Sequence, residues 1–148
     1  MYFVDSNVFF YAIVSDVRYG QACSSIVRDI ADGKIEAAIS SLVVIEVANA
    51  LHRYGKSDLA EGCVDAMCSL PIVIEAVDVV IAREATRISY QAGISPYDSV
   101  HVAVMRRLGI SEIVSADTDF DRVNGIKRLD PLRCYARRTS RSVGAERS

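Results

Sequence analysis

The chain has 148 residues, of which 51% are hydrophobic and 24% charged, and its formal net charge is −2. That length fits one domain with an ordinary apolar core, and the near-neutral balance excludes a globally basic nucleic-acid binder. No apolar run approaches the about 18–20 residues that span a bilayer. The longest run near the N-terminus, Phe9–Val14, follows no basic segment, so the chain reads as cytoplasmic, with no signal peptide.

In chain order, Tyr2–Val4 reads as a short buried strand ending at Asp5. Ser6–Val14 and Tyr19–Ala31 read as helices, the second broken at Gly33, and Ile35–Ile39 as the next strand. Ser40 and Ser41 suit the cap of a helix over Leu42–Tyr54 that stops at Gly55. Leu59–Leu70 reads as a helix closed by Pro71, and Ile72–Ile74 as a strand. Val79–Gln91 and Ser95–Leu108 have helical spacing and end at Gly93 and Gly109. Glu112–Ser115 and Ile126–Leu129 are the last two strands. Strands separated by helices imply an α/β fold: a parallel sheet with helices on both faces and ligands at the carboxyl ends of the strands.

One domain is expected over 1–135, followed by a basic, disordered tail over 136–148, where few side chains are apolar. The segment 122–148 carries a net +6, which leaves −8 on the rest of the chain. An acidic body with a basic end suits a cation in one place and phosphates in another. Cys23, Cys63, Cys68 and Cys134 contain no C-x-x-C pair. They read as small buried hydrophobes rather than zinc ligands or disulfides.

Four carboxylates hold the chemical interest. Asp5 follows the first strand, Glu46 sits in the helix after the second, Asp98 opens the helix before Glu112–Ser115, and Asp117 follows that strand. Each has an ordinary explanation. Asp5 and Asp117 suit helix caps and acidic turns, and Asp98 completes a capping box in Ser95-Pro-Tyr-Asp. Glu46, with Asn49 and Arg53, suits a solvated stripe, yet apolar residues crowd its helix from nearly every side, so its carboxylate needs a partner. The pattern alone leaves Asp98 unplaced, because a second helix, Val79–Gln91, lies between it and the preceding strand. Carboxylates gathered at one edge repel one another and call for a cation. With no cysteine cluster or paired histidine the ligands are oxygens, which suits magnesium or manganese. His52 and His101, the only histidines, read as ordinary helix residues.

These motifs, Val-Asp-Ser-Asn at 4–7, the Glu46 helix, Ser-Pro-Tyr-Asp-Ser-Val-His-Val-Ala around Asp98 and Ser-Ala-Asp-Thr-Asp-Phe at 115–120, resemble the PIN-domain family in order and spacing, especially its VapC-type toxins. The resemblance runs nearly to Pro131 and implies strand order 3-2-1-4-5, with the start of the Asp98 helix brought to the acidic cleft. It implies a ribonuclease acting on single-stranded RNA, with Asp5, Glu46, Asp98 and Asp117 holding magnesium or manganese and Asp119 assisting. Ser6, Asn7 and Ser115 fall where the family places polar support; at Ser115 many members have threonine. It further implies an antitoxin partner and a homodimer. The helical hairpin Leu42–Leu70, with Leu51, Tyr54, Leu59, Val64 and Met67, is a dimer surface or a contribution to the chain's own core. Lys127, Arg128 and Arg133 are the expected phosphate-binding residues. The competing readings are a non-catalytic PIN module, a housekeeping RNA-processing nuclease and a HAD-type phosphatase. The last would want Asp-x-Asp where this chain has Asp5-Ser6-Asn7.

Overall fold

The computed structural model describes the backbone of residues 1–145 and, past residue 137, the side chain of Ser140 alone. Five strands form one parallel sheet: β1 (Tyr2–Val4), β2 (Ala37–Ser40), β3 (Val73–Glu75), β4 (Glu112–Val114) and β5 (Lys127–Leu129). Their order is β3-β2-β1-β4-β5, as the resemblance implied. Phe3 pairs with Ala38 on one side and Ile113 on the other, so β1 is central. Phe3, Val4, Ala38, Ile39 and Ile113 are fully buried, which is why these short strands are continuous apolar runs rather than alternating ones.

Among the described residues seven α-helices flank the sheet: α1 (Ser6–Ile13), α2 (Gly20–Ala31), α3 (Ser41–Arg53), α4 (Ala60–Cys68), α5 (Val79–Ala92), α6 (Pro96–Leu108) and α7 (Pro131–Ala145). Ser40 caps α3 by accepting from the Val43 amide at 3.3 Å, and Asp78 caps α5 by accepting from Ile81 N at 2.9 Å. Two short 3-10 helices, Ser57–Leu59 and Thr118–Arg122, have no counterpart in the sequence reading, since such turns follow local hydrogen bonds rather than apolar periodicity. Helix α7 runs through part of the segment expected to be a tail, and residues 146–148 of that segment lie outside the described residues.

Helices α5 and α6 form an antiparallel pair. Gly93, with φ +67°, turns the chain between them. At the far end the Arg107 guanidinium grips Asp78 with two hydrogen bonds of 2.9 and 3.1 Å and holds its carboxyl down at about 2. This hairpin explains the intervening helix: α5 leads away from β3, and α6 returns with its first turn beside the loop after β4. Of the hairpin residues, Leu51 and Met67 belong to the chain's own core, while Tyr54 and Leu59 are exposed. Tyr54 also packs edge-on against Phe10, ring centroids 5.6 Å apart. Burial pushes the Cys23 thiol up to about 12. The expectation of four buried cysteines holds only there, because Cys63 and Cys134 are half-buried and Cys68 is exposed. No helix of the described residues is long and apolar enough to cross a membrane.

Candidate active site

Asp5 leaves the central strand at its carboxyl end and is 4% exposed. Its Oδ1 accepts from the Ser6 amide at 2.7 Å and the Ser6 hydroxyl at 3.3 Å. Its Oδ2 accepts from Asn7 Nδ2 at 2.7 Å and the Ser115 hydroxyl at 2.6 Å. Asn7 also donates to Ser115 Oγ at 3.1 Å and accepts from the Ala116 amide at 3.3 Å. Ser115 Oγ further accepts from the Asp117 amide at 2.9 Å. Ser6, Asn7 and Ser115 thus tie the end of β1 to the loop after β4.

Asp117 caps the 3-10 turn, its Oδ1 accepting from the Asp119 amide at 2.9 Å. Asp98 keeps its capping contacts: its amide donates to Ser95 Oγ at 3.0 Å, and Ser95 Oγ donates to its Oδ2 at 2.6 Å. Yet ligating oxygens of Asp98, Asp117 and Asp119 all lie within 4.8 Å of one another. Asp98 therefore keeps its cap contacts while standing beside Asp117 and Asp119.

Glu46 completes a second group with Asp5. The partner its position demanded is His101: Glu46 Oε2 lies 2.9 Å from His101 Nε2, and Asp5 Oδ1 is 3.9 Å from the same nitrogen. Reading His101 as an ordinary helix residue is corrected here. The ring is completely buried among carboxylates. The overlooked signal lay in the spacing. His101 is three residues after Asp98 on one helix, so both share a face. His52 fits its expectation, being at the exposed end of α3 with Nδ1 2.8 Å from Ser57 Oγ.

The electrostatics follow the crowding. Burial pushes the Asp5 carboxyl above its usual range, with a smaller push from Glu46, against the pull of His101 and the Ser115 hydrogen bond. Asp98 is likewise raised, first by burial and then by Asp117 and Asp5, despite the Ser95 hydrogen bond. His101 is raised although burial opposes it, because Glu46, Asp5 and Asp98 all favour the imidazolium. These mutual influences join the two groups into one cleft.

Two of the three basic residues expected to grip phosphate are engaged within the chain. Arg128 makes a bidentate pair with Asp121 at 2.9 and 3.1 Å and donates to the Ser115 carbonyl at 3.0 Å, leaving its side chain 13% exposed. Lys127 opens β5, away from its carboxyl end, and pairs with Glu112 at 3.0 Å. Arg133 is exposed in the first turn of α7, just past the carboxyl end of β5. Arg137 lines a cavity of about 540 Å³ with Met1, Tyr2 and Glu36, against the opposite edge of the sheet.

A central parallel sheet with a carboxylate at the end of its first strand, and further carboxylates brought in from α3, α6 and the loop after β4, defines the class. The chain belongs to the PIN domain family, whose model matches residues 2–126. It is 27% identical over 132 residues to VapC ribonuclease Mb1869c of Mycobacterium bovis and to ribonuclease VapC13 of Mycobacterium tuberculosis, matches that cover 87% of this chain and 99% of each relative. Its fold is shared with the sarcin-ricin-loop-cleaving toxin VapC20 of Mycobacterium tuberculosis, at TM-score 0.70, 20% identity and coverage of 82% and 93% of the two chains. VapBC2 of Rickettsia felis, solved bound to a DNA fragment from its promoter, gives TM-score 0.64 at 17% identity, with 86% and 96% covered.

Proposed function

We propose that this chain is a metal-dependent endoribonuclease that hydrolyses phosphodiester bonds in single-stranded RNA and serves as the toxin of a toxin–antitoxin pair, working in the cytoplasm. The observation that carries the reading is the convergence of Asp98, Asp117 and Asp119, with ligating atoms within 4.8 Å, beside Asp5 and Glu46 in a PIN domain. Five carboxylates form a hard donor set that fits magnesium or manganese. Asp5, Glu46, Asp98 and Asp117 would hold the cation, with Asp119 at the margin. Bound there, it would neutralise the scissile phosphate and lower the pKa of an attacking water.

The chain's own residues prepare that chemistry. Ser6, Asn7 and Ser115 fix both oxygens of Asp5, so the carboxylate is oriented before any ligand arrives. A carboxylate of the cleft takes the proton released by the attacking water. Arg133, exposed beyond β5, is the basic residue we assign to the RNA backbone. An antitoxin segment carrying arginine or lysine would block the cleft by pairing with the same carboxylates. A second copy of the chain would cover the exposed Ile45 and Ile74, which line one apolar groove with Leu42, Val44 and Val77, and sedimentation at micromolar concentration reads that homodimer directly.

The decisive assay is cleavage of single-stranded RNA with magnesium or manganese and with EDTA. EDTA should abolish cleavage and either metal restore it, with products ending in 3′-hydroxyl and 5′-phosphate. Full activity in EDTA, or a 2′,3′-cyclic phosphate product, would refute the reading.

A further inference from the structure

His101 is completely buried, tilted against Phe3 with ring centroids 5.3 Å apart, and each ring nitrogen faces a polar partner. Nδ1 lies 3.4 Å from Ser40 Oγ, and Nε2 lies 2.9 Å from Glu46 Oε2. The neighbours determine where the ring proton sits. Ser40 Oγ already accepts from the Val43 amide as the cap of α3, and its own hydroxyl proton is available to Nδ1. A neutral imidazole carries one donor and one acceptor. Whether the ring is neutral or charged, Nε2 carries a proton, because it faces a carboxylate that only accepts. Ser40 Oγ can donate to Nδ1 or accept from it, so it is Glu46 that requires the proton on Nε2.

Both partners also belong to α3: Ser40 caps it, and Glu46 is carried by its second turn. The imidazole spans from α6 to that helix and meets it at two points. Glu46 is otherwise a flexible side chain, 24% exposed, at the mouth of the cleft. His101 holds Oε2, while among the described residues no hydrogen bond reaches Oε1. The same helix carries Asp98, so the docking of α6 sets two carboxylates at once.

We propose that His101 is a positioning residue: its Nε2–H fixes the Glu46 carboxylate in the orientation that presents Oε1 to a divalent cation beside Asp5. This rests on the metal-dependent reading above. His101 does not itself ligate the ion, since Nε2 carries the proton given to Glu46. Supporting partners of this kind typically contribute about 10–100-fold to metal affinity.

The test compares Mn2+ affinity of the wild type, His101→Leu and His101→Gln, measured on the protein without RNA, with melting temperatures alongside. A two-bond proton–nitrogen spectrum of the wild-type imidazole is recorded with and without saturating Mg2+. The expected spectrum shows a proton on Nε2, retained with Mg2+. His101→Leu should weaken Mn2+ binding by about 10–100-fold. His101→Gln, whose amide N–H reaches toward the Nε2 position, should recover most of that loss. Unchanged Mn2+ affinity in His101→Leu would overturn the inference alone. So would a His101→Gln protein that is folded yet binds as weakly as His101→Leu, or loss of the Nε2 proton on Mg2+ binding, which would make the ring a ligand. A wild type that binds no Mn2+ would overturn the metal reading itself, before any variant is compared.

Discussion

Replacing Asp5 with asparagine is expected to damage the resting protein as well as its activity, and the hydrogen-bond lattice sets the size of the effect. Both carboxylate oxygens only accept. Oδ1 faces the Ser6 amide and hydroxyl, and Oδ2 faces Asn7 Nδ2 and the Ser115 hydroxyl. An asparagine oxygen replaces one of these acceptors, but its NH2 group then faces donors. If the amide takes the Oδ2 position, it opposes Asn7 and Ser115. Ser115 has little freedom to reverse, because its oxygen already accepts from Asn7 and the Asp117 amide. If the amide takes the Oδ1 position, it opposes the Ser6 backbone N–H. A buried donor left unmatched costs about 1–3 kcal/mol. Against this, asparagine removes a buried charge. The charge–charge part is no gain, because the attraction of His101 outweighs the repulsion of Glu46. What is saved is mainly desolvation. The saved desolvation offsets part of that cost, so we expect a net loss of about 1 kcal/mol, or roughly 2–4 °C in melting temperature for a domain of this size. The assay is thermal unfolding by circular dichroism in EDTA, wild type against Asp5→Asn. A variant that melts at or above the wild-type temperature would refute the acceptor-only argument. Cleavage should fall by at least the roughly 10–100-fold seen for loss of a mere supporting partner.

Asp98→Asn should behave oppositely in the metal-free protein. Its amide oxygen still accepts from Ser95, and repulsion from Asp117 and Asp5 is relieved, so the melting temperature should hold or rise while cleavage is lost; a lower melting temperature with normal cleavage would leave Asp98 as a cap alone. Because Asp5 and Asp98 are raised in the folded chain, that state binds more protons than the unfolded chain between pH 3.8 and the raised values. Stability of the metal-free protein from these two groups therefore falls as pH rises through that window. Metal affinity rises over the same window as the carboxyls ionise, and calorimetry across pH reads both slopes. Arg128→Ala should lower the melting temperature and leave the salt dependence of RNA binding unchanged, since its guanidinium serves Asp121 and the Ser115 carbonyl. Arg133→Ala should instead flatten the log–log salt slope by about 0.7, the single-strand value for one phosphate contact.

Much of the protein was determined by its sequence alone. The apolar runs at Tyr2–Val4 and Glu112–Val114, the glycines after α5 and α6, and the serines before α3 and α6 are local signals, and the elements lie within a residue or two of where those signals put them. Asp5 and Asp117 were legible because a carboxylate just past a buried parallel strand must lie at its carboxyl end. Tertiary structure decided the rest. Only the antiparallel packing of α5 on α6, closed by Arg107 and Asp78, brings Asp98 back beside Asp117. His101 looked ordinary because its three-residue spacing from Asp98 marks a shared face but not what lies against it, and Glu46 is 55 positions away. Arg128 looked available for RNA because its partners, Asp121 and the Ser115 carbonyl, are reached through space from β5. Periodicity reports which face of an element is buried; it does not report what another element places against that face, and the roles of His101 and Arg128 depend on that placement.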